Sequence, residues 1–284
     1  MPRVAWLIVL RVMRIYWIFF VLIALVLLAA REYSLLPDGR VHAHIFDVGQ
    51  GDGILLTSPS GKQIVIDGGP NMDLLEHLEN TMPFFDRTIE LLVLTHPDSD
   101  HITSLPEVLR RYQINHIMLS GAIHYSGKYD AFLALIEQYK IPVLLPDPDF
   151  DVDIGDGLVL DVIWPTFDAF GVKPDNANNP SVVLRAIFGS GSLLLTGDIE
   201  EEAEAAILAS GADVRASIIK VPHHGSRTSS SIGFLLAVAP KQALISSGRN
   251  NDFGHPHREI VERYESMNVK TQYTATSATL HISW

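Results

Sequence analysis

The apolar residues divide the chain into a continuous N-terminal stretch and a long segment of mixed character. Residues 4–30 are apolar apart from Arg11 and Arg14, and the run from Ile15 to Ala30 is unbroken. As a helix this run spans about 24 Å, close to the ~30 Å of a bilayer core. We therefore expect residues 1–30 to form a membrane anchor, with a cleaved signal segment as the alternative. A buried core helix is disfavoured because such a helix is rarely apolar on every face.

The basic residues of this segment predict its orientation. Arg3, Arg11 and Arg14 precede the unbroken run, and the first thirty residues contain no acid. The positive-inside rule then places the N-terminus in the cytoplasm and the rest of the chain outside the inner (cytoplasmic) membrane, after a single pass. Residues 31–40 are interpreted as a tether, and residues 41–284 as one domain.

From Val41 onward, short strand-like runs alternate with helical segments, which predicts an α/β domain of two sheets packed face to face with helices outside. The Asp-, Pro- and Gly-rich segment 146–157 is expected to be a solvated loop. The expected strands cover residues 41–47, 54–57, 63–67, 89–95, 115–119, 142–145, 158–164, 181–188, 193–196, 217–221, 243–246, 269–274 and 278–282. The expected helices cover residues 71–80, 105–112, 129–139, 200–209, 232–238 and 258–267.

The most informative polar cluster lies in Thr95–His101, directly after the strand-like run 89–94. It contains His96, Asp98, Asp100 and His101. Carboxylates this close repel one another unless cations neutralise them. The alternative is a solvated turn in which an Asp caps the next helix. Because capping requires one Asp, the cluster favours a metal site.

Further polar residues follow other predicted strands. Asp198 ends the run Leu193–Gly197, and His223 and His224 follow the strand 217–221 after Pro222. Asp198 has an alternative role as N-cap of the helix at Glu200. His255 and His257 open the last long helix, where free backbone N–H groups favour an anion.

Composition restricts the ligands and the substrates. The chain has no cysteine, so thiolate metal sites are excluded. Residues 31–284 carry 18 basic and 33 acidic residues, which argues against a broad phosphate-binding surface. A small anion site remains compatible, because bound divalent ions supply local positive charge.

Six spaced segments resemble the metallo-β-lactamase superfamily, and most closely the hydrolase domain of ComEC-type competence DNA-uptake proteins. They are Asp47–Asp52, Ile66–Gly69, Thr95–His101, Leu195–Asp198, Val221–Ser226 and Gly254–His257. The resemblance covers residues 41–284 and implies a four-layer αββα sandwich of two mixed sheets.

The resemblance also implies two divalent ions, Zn²⁺ or Mn²⁺. By position, His96 and Asp98 hold one ion, Asp100 and His101 hold the other, and Asp198 bridges them. Either His223 or His224 completes the second site. Three departures from the superfamily pattern accompany these matches: Asp98 replaces its second His, Asn178–Ser181 replaces its mid-chain His ligand, and Thr103-Ser104 replaces a Gly pair.

The expected function is that of a membrane-anchored phosphodiesterase or nuclease, with metal-bound hydroxide as the nucleophile. Asp100 is essential to turnover in this hypothesis, and the His of 223/224 that is not a ligand protonates the leaving oxygen. His255 or His257 binds a non-bridging oxygen. Single-stranded DNA is one candidate substrate, and the sequence identifies no protein partner. The alternatives are a hydrolase of a small phosphoester or cell-envelope ester, and a non-enzymatic anchored binding module.

Overall fold

The structure, a computed structural model, describes residues 2–166 and 169–284 and contains an N-terminal helix followed by two sheets. The strands are β1 (His42–Ile45), β2 (Ile54–Thr57), β3 (Gln63–Ile66), β4 (Thr88–Leu94), β5 (Gln113–Leu119), β6 (Val143–Leu144), β7 (Val152–Gly155), β8 (Leu158–Trp164), β9 (Val183–Phe188), β10 (Gly191–Leu195), β11 (Ile218–Lys220), β12 (Gln242–Ile245), β13 (Lys270–Tyr273) and β14 (Leu280–Ser283). The helices are α1 (Pro2–Ser34), α2 (Asp73–Thr81), α3 (Ser99–Ile102), α4 (Leu105–Arg111), α5 (Gly127–Tyr139), α6 (Glu201–Ser210), α7 (Ile232–Val238), α8 (Arg258–Ser266) and α9 (Thr274–Ser277), with a 3-10 turn at Pro222–Gly225.

Both sheets have seven strands among the described residues, and both are mixed. The first has the order β14-β1-β2-β3-β4-β5-β6 and the second β13-β12-β11-β10-β9-β8-β7. In the first sheet β3, β4, β5 and β6 run parallel, and in the second β10, β11, β12 and β13 do so. The remaining neighbours are antiparallel. The predicted α/β sandwich of two mixed sheets is confirmed.

The core lies mainly between the sheets, where alternate residues of both meet. Ile45, Leu56 and Val93 of the first sheet pack in one cluster with Leu160 and Leu184 of the second. A second cluster covers the outer face of the second sheet, where α6, α7 and α8 contribute Ile207, Phe234 and Tyr264. Apolar residues on both faces of the central strands explain their nearly continuous hydrophobic sequence.

The N-terminal helix belongs to a separate compact unit. This unit contains α1, the residues up to Leu36, and Glu79–Asp86; the second unit contains residues 37–78 and 87–284. Within α1, Leu10–Ser34 is apolar and long enough to cross a membrane. The helix continues four residues beyond the predicted anchor, into the expected tether. Arg31 and Glu32 are good helix formers, and no Pro or Gly interrupts the chain before Pro37.

One strand was missed in the segment predicted to be a solvated loop. β7 pairs antiparallel with β8 through a turn at Asp156-Gly157, where both residues have positive φ. Ile154 of β7 is buried in the core between the sheets, while Asp153 is exposed. The alternation of apolar and polar residues was obscured by the many aspartates, although an Asp-Gly pair between strands is itself a hairpin signal.

The parallel strands bring the polar motifs together. β3 and β4 are neighbours in one sheet, and β10, β11 and β12 are neighbours in the other. The segments that follow their carboxyl ends contain Asp67, the 95–101 cluster, Asp198 and His223-His224. Ligands collect at such edges because parallel strands end on the same side of a sheet.

Candidate metal centre

Asp67 fixes the loop that carries the first polar cluster. Its carboxylate accepts from the backbone N–H of Thr95 (2.8 Å) and from the Thr95 hydroxyl (2.7 Å). It also accepts from His101 Nδ1 at 2.8 Å. All three residues are buried. Asp67 therefore orients the His101 ring through Nδ1.

Four side chains form a compact group with their ligand atoms within 4.8 Å of one another: Asp100, His101, Asp198 and His224. Asp198 Oδ2 lies 3.4 Å from His101 Nε2 and 3.1 Å from His224 Nε2. Asp100 Oδ2 lies 3.8 and 3.5 Å from the same two nitrogens. Residues up to 124 positions apart in the sequence thus surround one point.

The two imidazoles fit a metal ion. In each ring Nδ1 makes a hydrogen bond outside the cluster. His101 Nδ1 bonds to the Asp67 carboxylate, and His224 Nδ1 bonds to the Ser246 carbonyl oxygen (2.9 Å). Each Nε2 is buried, and across residues 2–166 and 169–284 neither finds a hydrogen-bond partner. A buried nitrogen without a partner is costly, whereas a metal ion between these nitrogens and the carboxylates would satisfy it.

The charges at this cluster also favour a cation. Burial lowers the pKa of His224, but the carboxylates of Asp198, Asp52 and Asp100 together outweigh burial and raise this pKa to about 9. Burial is likewise outweighed at His101, whose pKa is raised well above its usual range by Asp198, Asp67 and Asp100. The carboxylates therefore hold protons on both imidazoles until a metal displaces them.

The structure distinguishes His223 from His224, either of which the sequence allowed as the metal ligand. His224 is buried within the cluster, whereas the half-buried His223 has Nε2 4.0 Å from Asp198 Oδ2 and Nδ1 3.4 Å from Glu200. Both residues adopt left-handed backbone conformations, and their rings are inclined by 65°. We therefore assign His224 to the metal cluster and His223 to its rim.

The first predicted site is more open. His96 is buried with its ring 4.1 Å from that of His101, and its Nε2 lies 3.9 Å from Asp98 Oδ2. Asp98 Oδ1 faces His124 Nε2 at 3.1 Å. His124 was not among the predicted site residues, because it lies in a loop without a neighbouring polar motif. Neither Asp98 nor Glu200 makes a side-chain cap hydrogen bond to α3 or α6.

Lys220 is a buried cation that was also missed. Only 1% of its side chain is exposed. Its Nζ lies 2.5 Å from Asp52 Oδ2, 3.3 Å from Asp198 Oδ1 and 3.1 Å from the Gly197 carbonyl oxygen. The ammonium therefore forms an ion pair with Asp198 Oδ1, the oxygen that faces away from the imidazoles. Its position at the end of β11, three residues before the paired histidines, was the available signal.

Glycines allow these loops to approach one another. Gly197 has φ +51°, and a Cβ there would lie 2.9 Å from Ser181 Cβ and 3.0 Å from Thr95 Cβ. A Cβ at Gly51 would lie 2.2 Å from the Asp100 carbonyl oxygen. In the Asn178–Ser181 segment, the Ser181 hydroxyl accepts from the Asp198 backbone N–H at 3.3 Å.

The two predicted anion-binding histidines lie at different distances from the cluster. The His255 ring is 5.5 Å from that of His223 and 6.4 Å from that of His224. The His257 ring is 5.0 Å from that of His255, and its Nδ1 accepts from the Arg227 backbone N–H at 3.2 Å. His255 therefore faces the centre, while His257 is already hydrogen-bonded at the start of α8.

A groove of about 630 Å³ opens onto the cluster. Asp98, Asp100, Asp198 and His223 line its floor. Its other lining residues are Ser99, His124, Ser126, Gly127, Lys128, Asn178 and Phe253. The groove thus reaches three of the metal-competent carboxylates, Asp98, Asp100 and Asp198.

Comparison with known proteins agrees with this fold. The family model of the metallo-β-lactamase superfamily matches residues 46–249. The chain therefore belongs to the metallo-β-lactamase superfamily, as its motifs predicted.

Among curated proteins it is similar to ComE operon protein 3 of Bacillus subtilis (strain 168), with 26% identity over 83% of this chain and 32% of the relative. It is also similar to competence protein ComA of Neisseria gonorrhoeae, with 27% identity over 86% of this chain and 32% of the relative. The chain thus spans about a third of the length of each. Among solved structures, the metallo-β-lactamase fold protein YhfI from Bacillus subtilis covers 86% of this chain and 100% of its own, with a TM-score of 0.56 and 12% identity. This last similarity concerns the fold.

Proposed function

We propose that this protein is a membrane-anchored, metal-dependent phosphodiesterase that acts outside the cytoplasm. The observation that carries the proposal is the pair of buried, unpartnered Nε2 atoms of His101 and His224, which face one oxygen of Asp198. The superfamily consists mostly of hydrolases, and Leu10–Ser34 supplies a segment suited to anchoring.

The residues suggest how two ions would be held. His96 and Asp98 would bind one, and Asp100, His101 and His224 the other, with Asp198 between them. Nitrogen and oxygen ligands of this kind suit Zn²⁺ or Mn²⁺. When bound, such ions activate water and neutralise charge on a phosphoryl oxygen.

The surrounding residues would position the substrate and move a proton. His223 presents Nε2 toward the centre, while its Nδ1 faces Glu200. Burial lowers the pKa of His223, so at neutral pH this imidazole is neutral and able to accept and return a proton at Nε2. His255 lies beside it and is suited to contact a non-bridging oxygen.

The groove favours a nucleic acid strand over a compact ester. Lys128 is exposed on the groove wall, and Phe253 is 65% exposed and stacked on His255 with ring centroids 5.7 Å apart. A cation and an exposed aromatic ring that line one groove suit a phosphate and a neighbouring base. A relative named as a competence protein supports the same substrate class. The acidity of the rest of the chain argues against an extended nucleic-acid contact, so we expect only a short single-stranded segment to touch the protein.

The test is hydrolysis by the full chain in nanodiscs, with Mn²⁺ or Zn²⁺, of single-stranded DNA, double-stranded DNA and a chromogenic diester. We expect cleavage of the single strand to weaken steeply with salt. Phe253→Ala should raise KM for DNA by about tenfold with little effect on the chromogenic diester, because base stacking contributes ~1–3 kcal/mol. Phe150→Ala, at an exposed Phe outside the groove, is the control.

Turnover of the small diester alone, independent of salt and of Phe253, would instead support a small-phosphoester hydrolase.

A further inference from the structure

The segment Glu79–Asp86 is hydrogen-bonded to the end of the N-terminal helix. The Arg31 guanidinium donates from Nη2 to the Glu79 carbonyl oxygen (2.8 Å) and the Asn80 carbonyl oxygen (3.1 Å). The Glu32 carboxylate accepts from the Phe84 backbone N–H at 2.8 Å. Both attachments are to backbone atoms, and the segment shares one compact unit with α1.

This segment presents large apolar side chains to the outside. Phe84 is 72% exposed and Phe85 69% exposed. Tyr33, in the last turn of α1, is 78% exposed. Adjacent phenylalanines are seldom exposed together to water on a protein surface. Aromatic side chains are, however, enriched where a membrane protein meets the lipid headgroups.

The attachment points set the depth of the segment relative to a bilayer. Arg31 and Glu32 directly follow the unbroken apolar run that ends at Ala30. Charged residues at that position lie at headgroup level when the run spans the hydrocarbon. Because the segment is hydrogen-bonded to these two residues, it lies at the same level.

We propose that Phe84 and Phe85, together with Tyr33, insert into the lipid headgroup region where α1 leaves the bilayer. This inference rests on the proposed membrane anchoring and adds a second, non-helical contact with lipid. The occupant of the aromatic surface is the bilayer itself, since the surface is continuous with the end of the candidate span.

The absence of cysteine allows a direct test in the full chain. Three variants, Phe85→Cys, Leu22→Cys and Phe150→Cys, are spin-labelled and reconstituted into phosphatidylethanolamine–phosphatidylglycerol liposomes. Power saturation compares the accessibility of each label to oxygen and to a nickel chelate. Leu22 lies at the middle of Leu10–Ser34, and Phe150 matches Phe84 in exposure but lies in the second compact unit.

We expect the label at 22 to report the hydrocarbon, the label at 85 the headgroup region, and the label at 150 bulk water. If labels 85 and 150 behave alike while 22 lies in lipid, the aromatic contact is refuted and the anchor stands. If the label at 22 is also in water, the anchor itself fails, and the aromatic contact fails with it.

Discussion

The two oxygens of Asp198 face opposite partners, and this division organises the centre. Oδ2 faces the imidazoles of His101 and His224, while Oδ1 faces the Lys220 ammonium. Lys220 thereby compensates a buried carboxylate without occupying the metal side. The same ammonium neutralises Asp52, which is also buried.

Lys220→Met should destabilise the metal-free protein by about 3–5 kcal/mol, because it removes the ammonium that faces buried Asp52 and one of the cations around buried Asp198. Urea unfolding of the detergent-solubilised chain measures the free energy of unfolding. Lys241→Met, at an exposed lysine, is the matched control and should change it by less than about 0.5 kcal/mol. Equal unfolding midpoints for the two variants would show that Lys220 has no such role.

The paired histidines should respond differently to substitution. His224→Ala removes a nitrogen from the cluster, so we expect the second ion to be lost and turnover with it. His223→Ala leaves the cluster intact, so both ions should remain while kcat falls by ~10²–10⁴-fold from loss of proton transfer. Metal analysis after gel filtration, with steady-state kinetics, separates the two. Loss of metal in His223→Ala with full retention in His224→Ala would reverse the assignment.

At the level of elements, the sequence could predict which strands carry the site, because apolar runs ending in Asp or His mark strand ends beneath a polar edge. It could not choose between His223 and His224. Both follow the same strand, and only the left-handed backbone at each residue turns the two rings apart. The contacts of His124 with Asp98 and of Lys220 with Asp198 could not be predicted for a related reason. Each pair is distant in the sequence and is brought together only by tertiary folding.

The loop after β10 provides a test at this scale. Gly197→Ala introduces both strain at positive φ and a Cβ within 3.0 Å of Ser181 and Thr95. We expect a loss of stability of about 2–4 kcal/mol and a weaker affinity for metal, because Asp198 is displaced. Gly211→Ala, at φ +80° with no neighbour within 4 Å of its Cβ, isolates the cost of backbone strain, about 1 kcal/mol. Equal losses in the two variants would refute the close-approach argument.

For the whole molecule, the alternation of strands and helices predicted the layered sandwich, and the spaced motifs predicted the superfamily; both predictions are confirmed. The hairpin of β7 and the extension of α1 to Ser34 were not predicted. In each case charged residues hid the pattern of a regular element. These residues are the aspartates in and around β7, and Arg31 and Glu32 at the end of α1. We propose the substrate, the metals and the membrane orientation rather than deriving them from the fold. Each depends on a second molecule: a substrate, a metal ion or a lipid bilayer.

The central claim is that a two-metal centre built around Asp198 performs hydrolysis. Its most direct test is to measure bound metal and turnover together in Asp100→Ala and in Glu137→Ala, which removes an exposed acid from α5. We predict that Glu137→Ala retains about two ions and full activity. Asp100→Ala should retain about one ion, remain folded, and lose at least ~10³-fold in kcat. An Asp100→Ala protein with two ions and unchanged turnover would contradict the account.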